Sequence, residues 1–219
     1  MNSIENYMKQ ENNVVTITGT VCSSFKFSHE IFGEGFYFID VMVNRISDAV
    51  DTIPVLVSER MVDVSQDPVG AKVKITGQIR TYNRQESECR RLIISVFAKE
   101  ISNLDEEESD NKSINQVSLI GHICKAPVYR KTPLGRDIAD MLLAVNRPYG
   151  KSDYIPCICW GRNAMFAGNL YVGAHIKIDG RIQSRLYRKT LPDCKEVERT
   201  AIEVSVSKIR AVGGTDEKN

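Results

Sequence analysis

Apolar and polar positions alternate along much of this chain with the period of two that buries one face of a β-strand. In Lys72–Tyr82, Val73, Ile75 and Ile79 are set against Lys72, Lys74 and Thr76, and His175–Tyr187 repeats the pattern. Val14–Val21 and Val117–Ile123 are rich in β-branched and apolar residues. Phe36–Asn44 and Ile138–Asn146 follow, then Ile53–Val57 and Tyr154–Trp160, and finally Leu92–Ile101 and Ala201–Ile209. Strands built this way fall in two sets of five. Between the third and fourth of each set, about a dozen residues can form one short helix, Glu59–Gln66 in the first set and Arg162–Leu170 in the second. Gly19, Gly77, Gly121 and Gly180 interrupt the first and fourth strands, as expected where strands bend sharply in a small barrel.

The two sets are copies of one another. Val43-Asn44-Arg45 recurs as Val145-Asn146-Arg147, and Asp51-Thr52-Ile53-Pro54 as Asp153-Tyr154-Ile155-Pro156, both shifted by 102 residues. Val69-Gly70-Ala71 through Gly77-Gln78-Ile79 recurs as Val172-Gly173-Ala174 through Gly180-Arg181-Ile182, shifted by 103. A period near 100 residues is a domain, not a solenoid unit. The expected organisation is a first domain over 1–101, an acidic linker over 102–113, a second domain over 114–212 and a short tail over 213–219. Five strands with a helix between the third and fourth is the order of the OB-fold. The expected fold is therefore all-β, two tandem five-stranded OB-fold barrels, each with one short helix between strands 3 and 4. Another small barrel or sandwich is the alternative on pattern alone.

Charge separates the copies. The 219-residue chain has a net charge of +1, but residues 1–101 carry −2, 102–112 carry −4 and 113–219 carry +7. A basic half suggests a polyanionic partner for that half. Apolar runs are too short to span a bilayer, and the N-terminus has no basic region followed by an apolar one, so a cytoplasmic location is expected. Six cysteines without a scaffold spacing read as free, buried thiols, including Cys157 and Cys159. Three scattered histidines, no phosphate-cradling glycine loop and no paired carboxylates in a site leave no catalytic or cofactor-binding constellation, so neither an enzyme nor a cofactor is expected.

Binding single strands without regard to sequence needs cations along the phosphates and flat aromatic faces for the bases. The second copy supplies both. Tyr154 and Trp160 are six residues apart, so a regular strand turns both to one face and Ile155, Cys157 and Cys159 to the other. Tyr149 stands between Arg147 and Lys151, and Arg162 follows Trp160. Tyr187 lies in Arg185-Leu186-Tyr187-Arg188, and Tyr129-Arg130-Lys131 falls in the first loop. For each tyrosine alone, a rim position with its hydroxyl in water is the plain alternative; for Trp160 it is a core or subunit-interface position.

The second copy resembles the OB domain of the bacterial single-stranded DNA-binding protein family over Asn115 to about Val212. The carriers are Asn115-Gln116-Val117-Ser118-Leu119-Ile120-Gly121, Pro127-Val128-Tyr129-Arg130, Leu143-Ala144-Val145-Asn146-Arg147, Ile155-Pro156-Cys157-Ile158-Cys159-Trp160-Gly161, Val172-Gly173-Ala174 and Gly180-Arg181-Ile182-Gln183-Ser184-Arg185. The resemblance implies base stacking on Tyr149, Tyr154, Trp160 and Tyr187, a basic contact at Arg130, and a homodimer holding four OB domains. It also implies roles in replication, recombination or repair near the nucleoid. The first copy departs from it, with Ser47, Thr52 and Ser58 at the positions of Tyr149, Tyr154 and Trp160 and only Tyr82 near that of Tyr187. Phe25, Phe27 and Phe32 of its first loop are the aromatics left to it. The family usually carries a flexible tail with an acidic, aromatic-tipped end that recruits replication proteins, and Gly213–Asn219 has no such tip. An OB-fold interaction scaffold of that machinery, binding DNA weakly or not at all, is the rival function.

Overall fold

The structure is a computed structural model describing residues 11–213 apart from 48, 87–88, 106–112 and 191–195. The central stretch of the expected acidic linker and the end of the expected tail lie outside the described residues. The first copy contributes β1 (Asn13–Val21), β2 (Lys26–Ile31), β3 (Glu34–Asn44), β4 (Val50–Ser58), β5 (Lys72–Glu86) and β6 (Cys89–Asn103). The second contributes β7 (Asn115–Lys131), β8 (Asp137–Asn146), β9 (Ser152–Trp160), the helix α1 (Arg162–Gly168), β10 (His175–Thr190) and β11 (Glu196–Ala211). The β1–β3 pairing closes the ring β1-β5-β6-β4-β3, and the β7–β10 pairing closes β7-β8-β9-β11-β10. In each ring one pairing is parallel, β4 with β6 and β9 with β11. These are two OB-fold barrels, each filled by its alternating apolar residues: Val15, Ile17, Ile53 and Ile75 in one, Leu119, Leu143, Ile155 and Ile178 in the other.

The first strand of each barrel bends to pair on both sides, and the bend needs glycine. A Cβ on Gly121 would run into the carbonyl of Ala144, and one on Gly19 into that of Met42. In the second barrel the bent strand continues unbroken through two register shifts to Lys131. In the first it breaks at Cys22–Phe25 and resumes as β2, making six strand segments where five are expected. Tyr129, Arg130, Lys131, Phe27 and Phe32 therefore sit in or at the tip of hairpins and not in open loops.

The helix expected over Glu59–Gln66 is absent, and turns occupy that segment. The Asp63 carboxylate accepts from the Ser65 amide at 3.0 Å, the Ser65 hydroxyl at 2.6 Å and the Gln66 side chain at 2.9 Å. Such local bonds compete with helical ones. In the second copy α1 forms and buries Ala164 and Ala167. The fourth and fifth strands are also longer than expected. Their ladders run out to Glu86↔Cys89 and Thr190↔Glu196, forming two polar arms beyond the barrels.

The barrels are joined edge to edge. β1 pairs antiparallel with β7, with Val15 opposite Val117, which makes one eleven-stranded sheet. Two aspartates, both without exposed side-chain surface, lock the junction reciprocally. Asp51 of the first copy accepts from Arg45 Nε at 2.8 Å and, across the junction, from the Ser184 amide at 2.6 Å and Arg181 Nη1 at 3.3 Å. Asp153 of the second copy accepts from the Thr81 amide at 2.6 Å and Arg80 Nη1 at 3.2 Å, both across the junction, and pairs with Arg147 Nε at 3.1 Å. Burial alone would raise the Asp51 pKa, but the bonds from Arg45 and Ser184 outweigh it and hold the carboxyl below its ordinary value. Among the described residues no helix is long and apolar enough to cross a membrane.

Candidate nucleic-acid interface

β9 sorts its side chains by alternation except at Ile158, which shares the parity of Tyr154 and Trp160 and is buried. Tyr154 and Trp160 are 48% and 42% exposed, while Ile155, Cys157 and Cys159 are buried. Both cysteines are free thiols, and burial pushes Cys159 up to about 12 and Cys157 well above its usual value, so neither is a nucleophile or a ready metal ligand.

Cross-strand register extends this outer face. Trp160 pairs with Ile138 of β8, and Ile138 with Arg130 of β7. Pro156 pairs with Leu142, and Leu142 with Lys125. Tyr154 pairs with Ala144, and Ala144 with His122. Directly opposed residues share a face. Ile158 pairs with Asp140, and Asp140 with Val128. Tyr154 and Trp160 thus stand at the two ends of a β9 column with Pro156 and Ile158 between them, and Lys125 and Arg130 flank Val128 on β7, two strands or about 10 Å away. Arg130 is half-exposed and bonds Asp140 at 2.9 Å, an exposed pair that is weak in water. Neither His122 nor Lys125 is marked out by the sequence, because the register shifts at Ile123/Lys125 and Lys125/Val128 break the parity that would align them.

Tyr149 caps the hairpin between β8 and β9, where the Arg147 amide donates to the Lys151 carbonyl at 2.8 Å. Its φ of 62° is left-handed, and its side chain is 98% exposed. A non-glycine residue in that conformation costs about 1–2 kcal/mol, with no burial to offset it here. Lys151 and Arg162 are exposed at the two ends of β9. Tyr129 is half-exposed and donates its hydroxyl to Asp137 Oδ1 at 2.5 Å, a bond that raises the phenol pKa; Lys131 approaches the same carboxylate at 4.0 Å.

Four of the expected residues stand at the junction between the copies or on the β10–β11 arm. Arg147 is drawn into the junction with Asp153 and turns its Nη2 to the Thr81 carbonyl at 3.4 Å, so it is a strut between the copies. Tyr187 lines a cleft of about 590 Å³ between the copies, with Thr52 and Pro54 on one wall and Pro156 and Ala201 on the other. Arg185 and Arg188 are exposed on the β10–β11 arm, within 3.9 Å of Glu203 and 4.0 Å of Glu198.

The first copy has no such column. Ser58, at the place of Trp160, is buried and donates to Glu34. Thr52, at the place of Tyr154, donates its amide to Ser184 Oγ at 3.1 Å. Among the described residues its exposed aromatics are Phe27 and Phe32 on the β2–β3 hairpin and Tyr82 on β5, while Phe25 packs on the core.

The model of the single-strand binding protein family matches residues 114–212. Single-stranded DNA-binding protein 3 of Listeria innocua is 34% identical over 118 residues, which cover 48% of this chain and 72% of that protein. The chain belongs to the single-strand binding protein family. The single-stranded DNA-binding protein of Halalkalibacterium halodurans is 38% identical over 81 residues, and there the chain spans about half the relative, 48%. The wild-type single-stranded DNA binding protein from Thermus aquaticus superposes with a TM-score of 0.73 at 18% identity, covering 94% of this chain and 96% of that one. That likeness takes in both barrels and shows the tandem fold.

Proposed function

We propose that this chain binds single-stranded DNA with little regard to sequence, on the outer face of the second barrel, in replication, recombination or repair. The observation that carries the reading is the pair of half-exposed rings, Tyr154 and Trp160, on the same sheet face as Lys125 and Arg130. Bases stack on Tyr149, Tyr154 and Trp160. Phosphates are held by Lys125, Arg130, Lys131, Lys151 and Arg162, with Arg185 and Arg188 reaching in from the arm. Tyr129 packs its ring beside Gly168 and steadies the β7–β8 hairpin through Asp137. The protein acts by binding and protecting the strand, not by catalysis. Two chains assemble, bringing four OB domains together, and sedimentation should return twice the mass of one chain.

Competition tests the reading. A labelled oligo(dT) held by the full chain should be displaced by unlabelled single strand and hardly by duplex of equal length. Equal displacement by duplex overturns it, because a duplex hides the base faces that stacking needs.

A further inference from the structure

Aligned at the shift of 103, the β5–β6 arm of the first copy does not repeat Arg185 and Tyr187 in place: Arg84 falls on Tyr187 and Tyr82 on Arg185. The two residue types are present in reversed order, Tyr-x-Arg against Arg-x-Tyr. Residues two apart share a strand face, so both arms present one tyrosine and one arginine on the same face. The opposing strand matches: Ile93 and Arg91 stand across from Tyr82 and Arg84, as Ala201 and Arg199 stand across from Arg185 and Tyr187.

An inversion of the same kind lies a few residues earlier, and there the structure shows it to be equivalent. Gln78-x-Arg80 stands against Arg181-x-Gln183. In both copies the arginine donates one amino group to its glutamine and another to the aspartate of the junction. Reversal within a face leaves the face's chemistry intact.

The arm of the first copy leads to the second copy's site. β5 packs against β9 across the junction. The Tyr154 amide donates to Thr81 Oγ1 at 2.9 Å, and the Thr81 amide donates to Asp153 at 2.6 Å. Tyr82 is the next residue, 43% exposed, and Arg84 is exposed beyond it.

We propose that the first copy lends Tyr82 and Arg84 to the second copy's strand-binding path, Tyr82 as a further stacking face beside Tyr154 and Arg84 as a phosphate contact. The inference rests on the single-strand binding proposed above. It makes the site composite: the barrel whose own platform is lost still touches the strand through its arm.

The test uses the full chain with oligo(dT) carrying 5-iodouracil, cross-linked by light and mapped by mass spectrometry, together with affinity measurements on variants. A cross-link on the peptide that holds Tyr82 is expected. Tyr82→Ala should weaken binding about fivefold or more, and Tyr82→Phe, which keeps the ring, should restore it. Arg84→Ala should lower the salt dependence by about one phosphate contact. A wild-type chain that binds oligo(dT) without a cross-link at Tyr82, with Tyr82→Ala binding as tightly, overturns the inference and leaves the parent reading standing. A wild-type chain that does not bind oligo(dT) overturns both.

Discussion

Trp160 and Ser58 hold the same position in the repeated strand and show how one side chain divides the copies. Ser58 closes on Glu34, which also pairs with Arg60 at 3.2 Å, so a polar cluster takes the place of the indole at that end of the first barrel. Trp160 instead holds a half-exposed ring at that end of the second barrel. The double substitution Tyr154→Ala/Trp160→Ala should weaken oligo(dT) binding by about 2–6 kcal/mol if both rings stack, with unchanged circular dichroism. A folded double variant with wild-type affinity would remove these residues from the site. The parity of β9 made this pair readable from sequence, since strand alternation is a local property. Arg147 was not readable in the same way. Its sequence context is aromatic and basic, but its partners, Asp153 and the Thr81 carbonyl, lie across a strand turn and in the other copy.

At the scale of elements, the junction rests on two buried carboxylates. The Asp51 pKa lies below its unfolded value, so its contribution to stability is complete above about pH 4 and is lost as pH falls below that. Thermal melts should show stability declining through that acid range. Asp51→Asn should flatten the decline and cost about 2–4 kcal/mol at neutral pH, because Arg45 and Arg181 lose their counter-charge while keeping partial contact with water. A variant whose pH profile matches the wild type would deny Asp51 this role. The aspartates were visible in the sequence only as part of the repeat. A retained Asp in two otherwise divergent copies is the signal, and its meaning needs the pairing of β1 with β7 to be known. The barrels' five-strand order was legible because burial imposes a period. The arms and the missing first helix were not. The arms are polar on both faces, and the Asp63 turn depends on which of two local bonding patterns is better satisfied.

Across the whole molecule, charge and topology act together. The basic second half carries +7 and the first −2, so the field attracts a polyanion to one barrel while the shared sheet holds the other beside it. Affinity for oligo(dT) should fall steeply with salt, the logarithmic slope gaining about 0.7 for each phosphate contacted. A flat salt response would contradict a phosphate-lined path. The most direct measurement of the central claim is the fluorescence of Trp160, the sole tryptophan of the chain, during titration with oligo(dT) and with duplex of equal length. Deep quenching by the single strand alone, with a midpoint that moves with salt, is the result expected of a base stacked on that ring. An unchanged spectrum at oligo(dT) concentrations that a second method shows to be saturating would contradict it and place the strand elsewhere on the molecule.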